Sequence, residues 1–152
     1  MIDELNKHLP LELSAHLRYN GHAQILSIRG YSKLAARYKA AAEEELGHAN
    51  AVIERLQQLG GFPAYGSCSN LVIPMKKWDL KQMLKSDLNT EELVLASLSD
   101  LAEMAEDEQR DFQTFHVVQH LIEDTEEDIT WYRTQLAQIE ELGLANYMQA
   151  QL

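Results

Sequence analysis

Cysteine, proline and long apolar runs are all scarce in this chain of 152 residues. The single cysteine, Cys68, excludes an intramolecular disulfide framework and a cysteine-based zinc or iron–sulfur site. No stretch of about 18 apolar residues occurs, so no segment has the composition of a membrane-spanning helix, and the first residues do not resemble a signal peptide. We therefore expect a single domain, residues 1–152, in the reducing cytoplasm.

Basic residues are scarce as well. The sequence has 13 Lys and Arg against 24 Asp and Glu, which gives a formal net charge of -11. It has no basic run that could bind a phosphate backbone or an anionic membrane surface, so the charge argues against nucleic acid and membranes as partners. Such a surface attracts cations, although acidic residues also serve ordinary solubility.

Helical periodicity, by contrast, is present almost throughout. Apolar residues recur at helical spacing in four long segments, about Ile2 to Ser27, Lys33 to Leu59, Asp79 to Asp107, and from a turn at 107–112 to Leu142. A short amphipathic tail, Leu144 to Leu152, follows Gly143. Pro10 inside the first segment predicts either a later helix start or a kink.

The longest irregular segment covers residues 60–77 and separates the second and third predicted helices. A connection of that length can run the whole height of a helix bundle. The sequence therefore predicts an all-α protein: an antiparallel four-helix bundle with one long crossover and a short fifth helix at the C-terminus.

A Glu-x-x-His motif, Glu45-Leu46-Gly47-His48, lies inside the second predicted helix. A residue and its third neighbour share one helix face, so this carboxylate and imidazole can bind one metal ion. Val52 and Leu59 continue the same face toward the core. A buried Glu beside a His is costly without a compensating positive charge, and a metal ion is the simplest candidate.

One inward-facing acid is found on each of two further helices. Glu12 lies on the apolar stripe of the first helix, and Glu91 lies between Leu88 and Leu95 on the apolar face of the third. Each acid alone is more typical of a surface residue. Together with Glu45 and His48 they predict a carboxylate–histidine metal site, and such ligands suit iron.

The fourth helix breaks the pattern. A di-iron carboxylate bundle has a second Glu-x-x-His there, but in this chain the apolar stripe passes through Thr125 and Asp128. A second register would turn Glu126 inward instead. Asp128 or Glu126 is therefore the candidate ligand on this helix, and the sequence leaves the two alternatives open.

The remaining histidines carry a weaker signal. His16 lies one turn after Glu12 and could be a ligand, a proton carrier or an interface residue. We expect the other four at the surface: His8, His22, His116 and His120.

These segments resemble bacterial ferritins, in particular the bacterioferritin branch of the ferritin-like superfamily. The matching segments are Leu11-Glu12-Leu13-Ser14-Ala15, Glu45-Leu46-Gly47-His48-Ala49, Ile53-Glu54-Arg55, Met83 to Leu88 with Glu91, and the tail Gly143 to Leu152. The resemblance covers nearly the whole chain. It implies a cage of twenty-four subunits that oxidises Fe(II) at a di-iron centre within each subunit and stores Fe(III) mineral.

The resemblance also implies roles for individual residues. Glu12, Glu45 and His48 would hold the first iron, Glu45 would bridge to the second, and Glu91 would hold the second. The family's second bridge and second histidine match Thr125 and Asp128 when the fourth helix is aligned without a gap. In the other alignment Glu126 takes the bridging position and the histidine is missing. One or two irons per subunit are expected.

Haem is not expected. Bacterioferritins bind haem through a methionine that immediately follows the Glu of the second helix, and that position is Leu46 here. Lys39 and Glu43, which would line the pocket, are poorly suited to a porphyrin face.

Two functions remain open at this point. The first is iron storage and detoxification, with a ferroxidase centre that is incomplete on the fourth helix and therefore of reduced activity. The alternative is a structural or regulatory cage subunit that co-assembles with a complete ferritin subunit. A rubrerythrin-type peroxidase is disfavoured because the chain has no Cys-rich segment. A DNA-protecting mini-ferritin is disfavoured because it lacks the C-terminal helix predicted here.

Overall fold

The chain folds into long helices. The computed structural model describes residues 1–66 and 75–152, and no strand occurs in these ranges. The helices are α1 (Ile2–Ile28), α2 (Ser32–Gln58), α3 (Leu80–Glu103), α4 (Phe112–Leu142) and α5 (Leu144–Ala150), with a π-helical turn, Met104–Glu108, at the end of α3. The predicted all-α bundle with a short C-terminal helix is confirmed. None of the helices in the described ranges has both the length and the apolar character needed to cross a bilayer.

Local sequence explains where several helices begin and end. Gly60, with φ of 81°, ends α2 in the left-handed conformation that favours glycine. The Asp79 side chain caps α3 by accepting a hydrogen bond from the Gln82 amide at 2.9 Å. The turn before α4 contains neither glycine nor proline, and Arg110 itself adopts the left-handed conformation there, with a φ of 51°.

Pro10 lies inside α1, and the predicted alternative of a later helix start is wrong. The missing backbone N–H removes one hydrogen bond, whereas burial of Leu5 and Leu9 in the core stabilises the first turns.

Two apolar clusters occupy the two ends of the bundle and establish the helix directions. The first apolar cluster joins the starts of α1 and α4 to the ends of α2 and α3, through residues such as Leu5, Val118, Leu56 and Leu101. The second apolar cluster joins the opposite ends, through residues such as Leu26, Leu34, Leu84 and Ile139. Helices α2 and α3 therefore run parallel, and the chain between them must travel the length of the bundle. Residues 67–74 of that connection, Cys68 among them, lie outside the described residues.

The tail docks on the bundle, as a helix this short requires. Tyr147 of α5 is buried, and its hydroxyl donates a hydrogen bond to Gln135 Oε1 of α4 at 2.8 Å. The backbone amide of Lys33, at the start of α2, donates to the Gln151 carbonyl at 3.2 Å.

Candidate metal centre

A layer of buried polar side chains separates the two apolar clusters at mid-height. All four long helices contribute to it, and its members are Glu12, Glu45, His48, Glu91, Thr125 and Asp128. Each of them continues the inward-facing stripe of its helix, which is why the sequence pattern located most of them. Burying so many acidic groups together is unfavourable unless positive charge compensates them.

Four buried side-chain atoms in the described part of the chain have no hydrogen-bond partner: Glu12 Oε2, Glu45 Oε2, His48 Nδ1 and Glu91 Oε2. Buried polar atoms in folded proteins are almost always paired. These four are all acceptors, or become acceptors when deprotonated, and they belong to one layer. A bound cation is the partner that would satisfy all of them.

The first candidate group consists of Glu12, Glu45 and His48, which offer ligand atoms within 4.8 Å of one another. His48 Nδ1 lies 3.6 Å from Glu12 Oε2 and 3.7 Å from Glu45 Oε2. Ligand atoms that each lie about 2.0–2.2 Å from one ion are about 3–4 Å apart. The distances from His48 Nδ1 to the two carboxylate oxygens are thus those of ligands around one cation.

The second candidate group consists of Glu45, Glu91 and Asp128, again with ligand atoms within 4.8 Å. Glu45 belongs to both groups and lies between them. This second group contains no imidazole, and two of its members already have partners. The Tyr19 hydroxyl donates to Glu91 Oε1, and Arg37 Nη2 donates to Asp128 Oδ1.

A third group lies at the outer side of His48. His48 Nε2 is 3.1 Å from Asp124 Oδ2, whose side chain is 45 % exposed, and Glu44 completes a set within 4.8 Å. Hence His48 faces the first group with Nδ1 and a more exposed carboxylate with Nε2.

The pKa values indicate how the ionisable groups of the polar layer share protons. Burial raises the pKa of Glu45 well above its ordinary value and that of Glu91 to about 8. Burial opposes ionisation of Glu12, but the nearby imidazole of His48 and the hydrogen-bonded ring of His8 hold the pKa of Glu12 well below the ordinary value. Burial also opposes a charged His48, yet Glu12 and Glu45 raise its pKa to about 11. Protons therefore occupy the layer where a cation would otherwise compensate the carboxylates.

The structure also decides how the fourth helix faces the core. Asp128 and Thr125 are buried, whereas Glu126 is exposed and is not brought to the layer. Thr125 donates its hydroxyl to the Leu121 carbonyl of its own helix at 2.7 Å. Of the two open alternatives, only Asp128 therefore lies near the other candidate ligands.

Two histidines are placed differently from the sequence prediction. His8 is fully buried, with Nε2 2.6 Å from Glu12 Oε1 and Nδ1 2.9 Å from Ser97 Oγ. His22 is also buried, with Nδ1 2.9 Å from Asp87 Oδ2. The prediction that both lie at the surface is wrong, because each ring finds a buried acid as a partner.

The other predicted histidine positions are as follows. The surface prediction is confirmed for His116 and His120, which are exposed on α4. His16 is half-buried and its Nδ1 lies 2.6 Å from the Ala42 carbonyl oxygen, outside the polar layer. Leu46 is 40 % exposed on the outer face of α2.

Three side chains of this region were not identified from the sequence: Arg37, Asp124 and His8. Arg37 gives no sequence signal, since an arginine in a helix of mixed charge usually lies in solvent. His8 has a signal that could have been used, because it lies one turn before Glu12 on the same face.

Comparison with known proteins agrees with this architecture. The ferritin family, described as a ferritin-like domain, matches residues 2–142. The chain is 35% identical over 153 residues to the bacterial ferritin of Neisseria meningitidis serogroup B, covering 100% of this chain and 96% of the relative. It is 33% identical over 159 residues to the bacterial ferritin of Pseudomonas aeruginosa, with 100% and 96% covered. It is 32% identical over 149 residues to the bacterioferritin of Brucella melitensis, with 98% and 90% covered.

Proposed function

We propose, from the premise that this chain belongs to the ferritin-like family, that it binds Fe(II) in the polar layer, promotes its oxidation and stores the iron. The convergence of unpartnered atoms supports this proposal most directly. Glu12 Oε2, Glu45 Oε2, His48 Nδ1 and Glu91 Oε2 are the four buried atoms without partners in the described part of the chain. Carboxylate oxygens combined with imidazole nitrogen form a ligand set that suits iron.

The ligand roles follow from the two candidate groups. Glu12 and His48 would hold the first iron, Glu45 would bridge, and Glu91 would hold the second iron with Asp128. Carboxylates surround both positions, so they stabilise Fe(III) more strongly than Fe(II) and favour loss of an electron. Each Fe(II) gives up one electron. Hydrogen peroxide would accept two electrons, one from each of two Fe(II), together with two protons, and would leave as two waters. Dioxygen is the other candidate oxidant.

A His48→Gln variant tests the proposal. It removes the imidazole from the first group, and Fe(II) affinity should fall by more than about 100-fold, beyond the 10–100-fold effects typical of groups that only support a ligand. The control is His120→Gln, since His120 is 64 % exposed and belongs to none of the three candidate groups. Anaerobic Fe(II) titration measures binding, and the absorbance of Fe(III) after addition of oxygen or peroxide measures oxidation. Oxidation by the wild-type protein no faster than in buffer would refute the ferroxidase function.

A second candidate function is a structural cage subunit with little oxidation of its own. The pairing of Arg37 with Asp128, together with the lack of a histidine from α4 in the polar layer, favours it. Native mass spectrometry of the purified protein would measure the assembly, for which we propose twenty-four subunits. Slow oxidation that becomes rapid only after mixing with a complete ferritin subunit would favour this alternative.

Two expectations from the sequence remain predictions: a cytoplasmic location and the absence of haem. Lys39 and Glu43 are exposed beside Leu46 on the outer face of α2. A protein purified with a Soret absorption band would contradict the expectation about haem.

A further inference from the structure

A guanidinium group lies at the edge of the second candidate group. Arg37 of α2 donates from Nη2 to Asp128 Oδ1 of α4. Its guanidinium carbon also lies 4.9 Å from the centre of the Trp131 ring, in cation–π contact. The Asp128 side chain is only 6 % exposed, whereas that of Arg37 is 29 % exposed.

The two candidate groups therefore differ in the charge beside them. In the described part of the chain, the ion pairs of Glu12 and Glu45 are all with histidines. A histidine can release its proton to solvent when a metal binds. Asp128 is paired with an arginine, which keeps its charge at any pH the protein experiences. A divalent cation between Glu45, Glu91 and Asp128 would be repelled by that charge and would compete with it for the same carboxylate.

We propose that Arg37 occupies the place of a second cation and makes the centre fill in order. The first cation binds at Glu12, Glu45 and His48. The second binds at Glu45, Glu91 and Asp128 only when the Arg37 guanidinium swings from Asp128 toward solvent. This inference rests on the proposed metal binding and adds that one chain residue controls the second position.

The side chain of Arg37 is suited to this movement. Its partly exposed side chain can reach solvent without unfolding a helix, and water would solvate the released charge. In the position where Arg37 pairs with Asp128, the Trp131 ring adds a favourable contact. The arrangement in which Arg37 pairs with Asp128 is therefore the resting one. Displacement of the Arg37 guanidinium costs both an ion pair and a cation–π contact.

Crystals equilibrated with graded Zn(II) concentrations provide a test that does not depend on activity. Anomalous scattering reports the occupancy of each position separately. In the wild-type protein the first position should saturate at a Zn(II) concentration at least about tenfold lower than the second, the factor expected from one charge-assisted hydrogen bond. Arg37→Gln should narrow this gap, the ratio between the two saturating Zn(II) concentrations, by about tenfold or more. Arg133→Gln, which breaks the exposed pair with Glu92, is the matched control and should leave the gap unchanged.

A solution measurement covers the case in which Arg37→Gln does not fold. Trp131 and Trp78 are the two tryptophans of the chain, so a Trp78→Phe variant leaves Trp131 as the sole indole reporter. Its fluorescence should change as Zn(II) fills the second position, because the guanidinium leaves the ring, and not as the first position fills.

The outcomes separate the two levels of the argument. Equal occupancy of both positions in the wild-type protein with Arg37 still bound to Asp128 would overturn the inference alone. An unchanged gap in Arg37→Gln, or a Trp131 signal that follows the first position, would do the same. Absence of Zn(II) from both positions would overturn the proposed metal binding, and the inference with it.

Discussion

Replacing Glu91 with glutamine should make the metal-free protein more stable, and the gain should grow as the pH rises. Glu91 is fully buried. Its Oε1 accepts a hydrogen bond from the Tyr19 hydroxyl, and its Oε2 has no partner. The glutamine side chain has the same shape and its carbonyl oxygen still accepts from Tyr19. The variant therefore removes the ionisable group with little change in packing.

The size of the effect follows from the pKa. Burial, reinforced by the charges of Asp128 and Glu12, raises the pKa of Glu91 from 4.5 to about 8, against the opposing hydrogen bond from Tyr19. An acid whose pKa is raised on folding contributes stability that is fully present below its unfolded pKa and is lost as the pH rises through its folded pKa. Relative to glutamine, Glu91 should therefore cost nothing near pH 4, about 3 kcal/mol at pH 7 and up to about 5 kcal/mol above pH 8.

Equilibrium denaturation in the presence of a chelator, at one fixed protein concentration, measures this difference at pH 5, 7 and 8.5. The neighbouring Glu92→Gln is the matched control, because the Glu92 side chain is 43% exposed and pairs with Arg133. That control should change the free energy of unfolding by less than about 0.5 kcal/mol at every pH.

Zn(II) binding should reverse the order of stability, so that the wild-type protein becomes more stable than Glu91→Gln. At a given concentration, Zn(II) stabilises the folded protein more when it binds more tightly, and Glu91→Gln removes a candidate ligand of the second group. The wild-type protein should therefore gain more stability from Zn(II) than the variant.

In the chelator experiment, one result would refute the reasoning: a stability advantage of Glu91→Gln over the wild type that is no larger at pH 8.5 than at pH 5. The cost of Glu91 would then not come from its ionisation.

The remaining predictions concern proton release, a buried ion pair and the tail. Zn(II) binding at pH 7 should release about two to three protons per subunit, because His48, with a pKa of about 11, and the protonated carboxylates must lose theirs; calorimetry in buffers of different ionisation enthalpy counts them, and a release below one proton would contradict the protonation state derived above. Asp87→Asn should lower the free energy of unfolding by about 3–5 kcal/mol, because Asp87 is fully buried and its Oδ1 lies 2.5 Å from Arg18 Nε. The control Asp100→Asn, at an exposed position, should have almost no effect. Equal denaturation midpoints for the two variants would contradict this prediction. Tyr147→Phe should cost about 1 kcal/mol through the lost hydrogen bond to Gln135; an unchanged thermal midpoint would show that this bond contributes nothing.

The sequence predicted the helices and most candidate ligands for one physical reason. Helix periodicity places residues three or four apart on one face, and apolar neighbours show that the face is buried. Glu12 and Glu91 each lie between apolar residues of their stripes, and Glu45 and His48 share one face. The structure brings these four side chains into one layer.

The register of α4 could not be predicted in the same way. The run Glu123 to Asp128 contains no apolar residue to mark the buried face. Whether Glu126 or Asp128 faces inward depends on how α4 packs against its neighbours, which local periodicity does not encode. Similarly, His8 looks like an ordinary surface histidine until Ser97 and Glu12 are seen on either side of its ring.

By itself, the sequence determined that this protein is a helical bundle with three acids and a histidine facing its core, because those features depend on spacing within single helices. Only the tertiary structure decided that Arg37 meets Asp128, since the two residues lie on different helices and are separated by 91 positions in the chain. The character of the second metal position depends on that contact. Charges that interact across helices are a property of the packed bundle, and no pattern within one helix records them.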